Sequence, residues 1–134
     1  MRLTLDASAL IAFLQGEPGG ALVSDAIDDP PNTCYVHAVN ACEVYYDFAR
    51  TEGYTKAQEV VADLAAIGLT IRTDMDTEFW QEAGGYKANL RRISLADCFC
   101  VALTRRLDAE MLTADRHEFD AIAERGVCGI RFIR

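Results

Sequence analysis

The chain has 134 residues with 21 acidic against 13 basic side chains, a net charge of −8. That length bounds it to a single domain, residues 1–134, with room for a real core, and the charge excludes a protein that coats nucleic acid through bulk positive potential. No apolar run reaches membrane-spanning length, the first residues lack a signal-peptide pattern, and five scattered cysteines make no disulfide framework; the expectation is a soluble cytoplasmic protein with no membrane partner.

In chain order, "RLTL" (2–5) reads as a strand and residues 7–15 as an apolar helix stopped by "GEPGG". Residues 21–28 form a helix closed by "DDPPN", "TCYVH" (33–37) a β-rich stretch, and 38–50 and 55–67 two further helices. "GLTIRT" (68–73) is a strand, and 76–92 carries Phe79, Ala83, Tyr86 and Leu90 at helical spacing across the weak point Gly84–Gly85. "SLADCFCVALTRRL" (94–107) is a helix, "EMLT" (110–113) a strand, 117–125 a helix and "GIRFI" (129–133) the last strand. Short continuous apolar strands alternating with helices imply a parallel sheet covered on both faces, a three-layer α/β/α architecture. In such sheets, sites form at the carboxyl ends of the strands.

Carboxylates fall at those ends. Asp6 follows the first strand directly, and Asp115 follows "EMLT". Each also suits the N-cap of the helix after it, which alone would explain it. Asp97 lies one turn inside a helix apolar nearly all round, where a charge needs a partner; Ser94 three residues earlier suggests a capping box, with Asp shorter than the usual Glu or Gln. Glu43 shares a stripe with Asn40, Asp47 and Arg50; the spacing suits a solvated stripe as well as one whose start, early in a helix that follows a strand, turns toward the same sheet edge. Cys98 and Cys100 point to opposite sides of one helix and read as small buried hydrophobes. His37 and His117 read as structural or exposed rather than catalytic.

Two bare carboxylates about 4 Å apart repel by roughly 4 kcal/mol at a protein-like dielectric. Four acids meeting at one edge therefore call for a counter-cation, and oxygen donors without thiol or imidazole select Mg²⁺ or Mn²⁺.

The residues that carry these acids resemble a PIN domain, specifically the ribonuclease toxin of VapBC-type toxin–antitoxin pairs. The matching stretches are "LDASALIAFLQGEPG", "AVNACEV", "ISLADCFCVALTRRL" and "LTADRHEFD", in order along nearly the whole chain. The resemblance implies a five-stranded parallel sheet between helices, with Asp6, Glu43, Asp97 and Asp115 as the acidic quartet and metal ligands. Asp6 and Asp97 are the chief direct ligands on this reading, and Ser94, Thr113 and Asn40 are supporting polar residues. Asp120 is a candidate for a more distant acid of the same site. The implied activity is Mg²⁺- or Mn²⁺-dependent hydrolysis of RNA phosphodiester bonds; the implied partners are RNA, a VapB-type antitoxin and a second copy of the chain. Aromatics in "EVYYDF" and "EFWQEA" suit contact surface or core.

An acidic nuclease needs local positive charge for its substrate. Lys87, Arg91 and Arg92 precede the Asp97 helix, with Lys87 and Arg91 four apart on one helix face, and Arg116 adjoins Asp115. Arg105 and Arg106 are satisfied by the helix dipole. A phosphoaspartate phosphatase would need an acid at position 8, which is Ser, and a receiver domain a late lysine, absent after Lys87. The rival that keeps the fold is a PIN scaffold that binds RNA or protein without cutting.

Overall fold

The computed structural model describes residues 1–90 and 92–134. Its five strands are β1 (Arg2–Leu5), β2 (Thr33–His37), β3 (Leu69–Arg72), β4 (Glu110–Thr113) and β5 (Gly129–Phe132). All pair in parallel, in the order β3-β2-β1-β4-β5. Chain order runs outward from β1 to β3 on one side, then returns to β4 and β5 on the other. The order therefore reverses between β1 and β4, where open α/β sheets leave a crevice at their carboxyl ends.

Alternation along the strands builds the two cores. Leu3 and Leu5 of β1, Cys34 and Val36 of β2, Leu69 and Leu112 face helices α1 (Ala7–Gln15), α2 (Gly20–Asp28), α3 (Ala38–Glu52) and α4 (Tyr54–Ala66). Tyr35, Met111, Ile130 and Phe132 face α5 (Thr77–Asn89), α6 (Leu95–Arg106) and α7 (Arg116–Glu124). With a period of two, one strand feeds both layers, and each fully buried Leu or Phe contributes about 1.5–3 kcal/mol. The expected three-layer α/β/α arrangement is what forms. Cys98 and Cys100 are buried in the second core, as small hydrophobes would be.

Glycine is required where α2 meets α1. A Cβ on Gly20 would lie 2.5 Å from the carbonyl oxygen of Ala12, so no larger residue allows this approach. Gly19 beside it adopts φ 91° and would meet the Ile133 carbonyl oxygen at 2.6 Å. This pair seats α2 against both α1 and the end of β5.

One element is shorter than its periodicity suggests. The helix expected over 76–92 ends at Asn89; the N–H of Leu90 still bonds the carbonyl of Tyr86, but φ −117° and ψ 66° take the chain out of the helix there. Apolar spacing continues to Leu90 because Leu90 packs on the second core, not because the helix does. Arg91, expected to share a helix face with Lys87, lies outside the described residues. No helix among the described residues is long and apolar enough to cross a membrane.

Candidate active site

Three helices begin at the carboxyl edge of β1 and β4, and each opens with an acid in or beside its cap. Asp6 caps α1: it leaves β1 with its N–H bonded to the Leu112 carbonyl, and its Oδ1 accepts from Ala9 N at 2.9 Å. Asp115 caps α7, its Oδ1 accepting from Glu118 N at 3.0 Å. Ser94 caps α6, its Oγ accepting from Asp97 N at 3.2 Å. Capping is thus real for both strand-end aspartates and for Ser94. Capping also aims the positive ends of three helices at one place, which offsets part of the charge gathered there.

The acids meet. One oxygen each of Asp97, Asp115 and Glu118 lie within 4.8 Å of one another. Asp6 and Glu43, expected in the same group, fall outside it, although the charge of Asp115 reaches Asp6 and that of Glu118 reaches Glu43. Burial pushes Asp6, 1% exposed, up to about 6, and the charge of Asp115 adds to it against hydrogen bonds from Thr113, Ala9 and Ser8. Asp97, 8% exposed, is pushed well above the usual carboxylate range, first by burial, then by its hydrogen bond to Glu118 and the charges of Asp6 and Glu118. Burial also raises Glu43, with Glu118 adding to the shift and Asn40 opposing it.

Neutral groups hold the acids in place. Thr113 Oγ1 donates to Asp6 Oδ2 at 2.6 Å and accepts from Asp115 N at 3.0 Å, so one hydroxyl ties the two strand-end acids together. Ser8 Oγ donates to Asp6 Oδ1 at 2.7 Å and accepts from Ala114 N at 2.9 Å. Asn40, fully buried, donates its amide to Glu43 Oε1 and to the Ala96 carbonyl, both at 3.2 Å, linking α3 to the first turn of α6. Along α3 the stripe changes from buried Asn40 through half-buried Glu43 and Asp47 to exposed Arg50.

Two site residues escaped the sequence reading. Glu118 is one, although Asp115 and Glu118 sit in the spacing of a capping box, the signal that could have found it. Ser8 is the other; two residues after an N-cap Asp, a hydroxyl is in reach of the cap's own carboxylate. Asp120, by contrast, is exposed and outside the group.

The basic residues and histidines lie around this centre. Lys87 donates to the Ile93 carbonyl at 2.7 Å, and Arg92 is exposed. Arg116 donates Nε–H to the Arg134 carbonyl at 2.9 Å and lies over the Phe132 ring at 4.4 Å. Arg106 has more specific partners than a helix dipole: it pairs with Asp74 at 3.0 Å and Asp76 at 2.6 Å and covers Phe79. Arg105 donates to the Val127 carbonyl. His37 is buried in a three-ring cluster with Phe79 and Phe99; its Nδ1 accepts from Val39 N, so Nε2 carries the proton donated to the Asp74 carbonyl. His117 is exposed. Of the aromatics in the two apolar stretches, Phe48 and Phe79 are core, and Tyr46 and Trp80 are exposed.

No ion pair among the described residues involves Asp6, Glu43, Asp97, Asp115 or Glu118. Their donor set is all carboxylate oxygen, the chemistry of a hard divalent ion such as Mg²⁺ or Mn²⁺. Asp97, Asp115 and Glu118, with one oxygen each within 4.8 Å of the others, are the residues that would hold such an ion.

Residues 3–125 match the family model described as PIN domain. Among solved structures, VapBC-1 from nontypeable Haemophilus influenzae superposes with a TM-score of 0.76 at 14% identity, covering 99% of this chain and 98% of that one. A toxin–antitoxin complex from Klebsiella pneumoniae gives 0.73 at 13% identity over 98% of each chain. Mycobacterium tuberculosis VapC20, described as a toxin cleaving the sarcin–ricin loop, gives 0.71 at 14% identity over 90% of this chain and 94% of that one. Comparison with curated proteins returned no match.

Proposed function

The chain belongs to the PIN-domain family, and from that premise we propose that it is a metal-dependent endoribonuclease, the toxin of a VapBC-type toxin–antitoxin pair. The observation that supports this most is the convergence of Asp97, Asp115 and Glu118, with Asp6 and Glu43 in electrostatic reach of it and no cation among the described residues paired to any. A cluster this crowded is unfavourable by itself and favourable around a divalent ion.

Asp97, Asp115 and Glu118 would hold Mg²⁺ or Mn²⁺, with Asp6 and Glu43 binding directly or through water. When bound, such an ion acidifies water and neutralises charge on a phosphodiester, the chemistry of phosphate-ester hydrolysis. The chain's own part is orientation. Thr113 and Ser8 fix both oxygens of Asp6, and Asn40 holds Glu43 against the first turn of α6. Lys87, Arg91, Arg92 and Arg116 are the cations that would guide an RNA strand to an otherwise acidic face. His37 takes no part, since both its nitrogens are engaged in the fold. A cognate VapB-type antitoxin covering the cleft and a second copy of the chain are the partners this reading calls for, in the cytoplasm.

Purified protein incubated with RNA in Mg²⁺ or Mn²⁺, in EDTA, and as Asp6→Asn and Asp97→Asn variants tests the proposal. Cleavage that needs the metal and is lost in both variants supports it. Binding of RNA without cleavage under every condition would favour an inactive PIN scaffold, and cleavage indifferent to metal and substitution would point to a contaminant.

A further inference from the structure

A groove of about 280 Å³ adjoins the acid cluster, lined by the α5–α6 connection and α7. Leu90 and Ala121 supply its apolar surface over the buried Ile93 and Ile122, and Glu118, shared with the cluster, lines it too. So do Arg92 and Arg125. Every other described arginine holds a carboxylate, a backbone carbonyl or an aromatic ring. Arg92 and Arg125 hold none of these among the described residues. In a chain of net charge −8, the two guanidinium groups uncommitted among the described residues border the same groove.

We infer that this groove receives one unstacked base of single-stranded RNA, from the nucleotide adjoining the phosphodiester held at the acids, with Arg92 and Arg125 on its phosphates. The inference rests on the nuclease reading above. Three features select this ligand. Apolar walls flanked by guanidinium groups match a base joined to phosphates, since every base offers a π-face for stacking whatever its sequence. Continuity through Glu118 puts the groove within a nucleotide's reach of the cluster. The volume sits at the low end of small-ligand pockets, roughly 300 Å³ upwards, which suits one ring system and not a helix of a protein partner.

The test compares a fluorescein-labelled hexaribonucleotide with the same backbone made abasic throughout, by fluorescence anisotropy in Ca²⁺. Wild-type protein should bind the RNA about tenfold more tightly than the abasic strand, from burial of one base face on the aliphatic wall. Ala121→Trp, at an exposed position of the groove wall, should erase that preference while leaving Mn²⁺ binding by calorimetry and the melting temperature unchanged; Ala121→Leu serves as the smaller filling if the Trp variant fails to fold. Arg92→Ala with Arg125→Ala should weaken both strands alike. Equal binding of the two strands by wild type, or a preference that survives filling the groove, would overturn the inference. Competition by hexaglutamate that is lost on filling the groove, while the base preference stays, would assign the groove to a protein partner and overturn it as well. RNA bound with the base preference yet uncut in Mn²⁺ would keep the groove and remove the nuclease reading.

Discussion

Thr113 and Asp6 sit at the ends of adjacent parallel strands, and the Thr113 hydroxyl donates to Asp6 Oδ2 at 2.6 Å while accepting from the N–H of Asp115. Both residues are buried. The relationship converts the sheet's register into the orientation of a carboxylate. Groups that orient metal-binding carboxylates typically matter 10–100-fold for metal affinity when removed. Thr113→Val should therefore weaken Mn²⁺ binding by about that factor in calorimetry, and Thr113→Ser, which keeps the hydroxyl, should restore most of it. Weakening by Thr113→Ser while Thr113→Val binds like wild type would mean that the methyl group, and not the hydroxyl, matters.

Asp6 predicts a pH dependence of stability. Its carboxyl is raised from 3.8 to about 6 in the fold, chiefly by burial. Between those values the folded chain holds the proton more tightly than the unfolded one, so the contribution is complete at low pH and disappears as pH rises through 6. The swing is about 3 kcal/mol. Asp6→Asn cannot titrate and still caps α1. In EDTA, the unfolding free energy of wild type relative to Asp6→Asn should fall by about 3 kcal/mol between pH 3 and pH 8. Burial lowers His37, which acts in the opposite sense as the pH falls below the ordinary imidazole range, but both proteins carry it and it cancels in the difference. Parallel curves would refute the assignment.

Glu118 and Asp120 are two residues apart on α7 and should behave differently. Glu118→Gln removes a member of the cluster and should reduce Mn²⁺ affinity at least tenfold. It should also raise the melting temperature in EDTA, since it relieves repulsion against Asp97 and Glu43. Asp120→Asn, at an exposed position, should change stability by less than about 0.5 kcal/mol and leave metal binding alone. A reversed order would move the site to the opposite face of α7.

His37 is a brace. It caps α3 through Nδ1, binds the loop carbonyl of Asp74 through Nε2, and packs against Phe79 and Phe99. His37→Leu should lose about 2–4 kcal/mol by urea unfolding, from a lost cap and a lost buried hydrogen bond. Metal affinity should stay within twofold. A variant that folds as well as wild type but loses RNA cleavage would instead make His37 part of the chemistry.

The layers and the strand ends were legible because they depend on local periodicity. Leu3 and Leu5 alternate with Thr4, and Asp6 follows at once, so strand and acid are written in adjacent residues. Asp97 stood out by contrast, a charge in an apolar helix. Glu118 did not, because on an amphipathic helix an acid in the first turn looks like any solvated one; its meeting with Asp97 depends on β4 returning beside β1, a long-range fact that no spacing encodes. The end of α5 was missed for a related reason, since Leu90 keeps the apolar rhythm after the backbone has left the helix. Arg106 likewise has partners thirty residues away, Asp74 and Asp76, set by the sheet and not by its own helix.

The most direct measurement is anomalous diffraction at the manganese edge from crystals soaked in Mn²⁺. The account predicts an ion bound by oxygens of Asp97, Asp115 and Glu118 with Asp6 at its side, and loss of that peak in Asp97→Asn. Five carboxylates drawn apart, with no manganese between them, would contradict it.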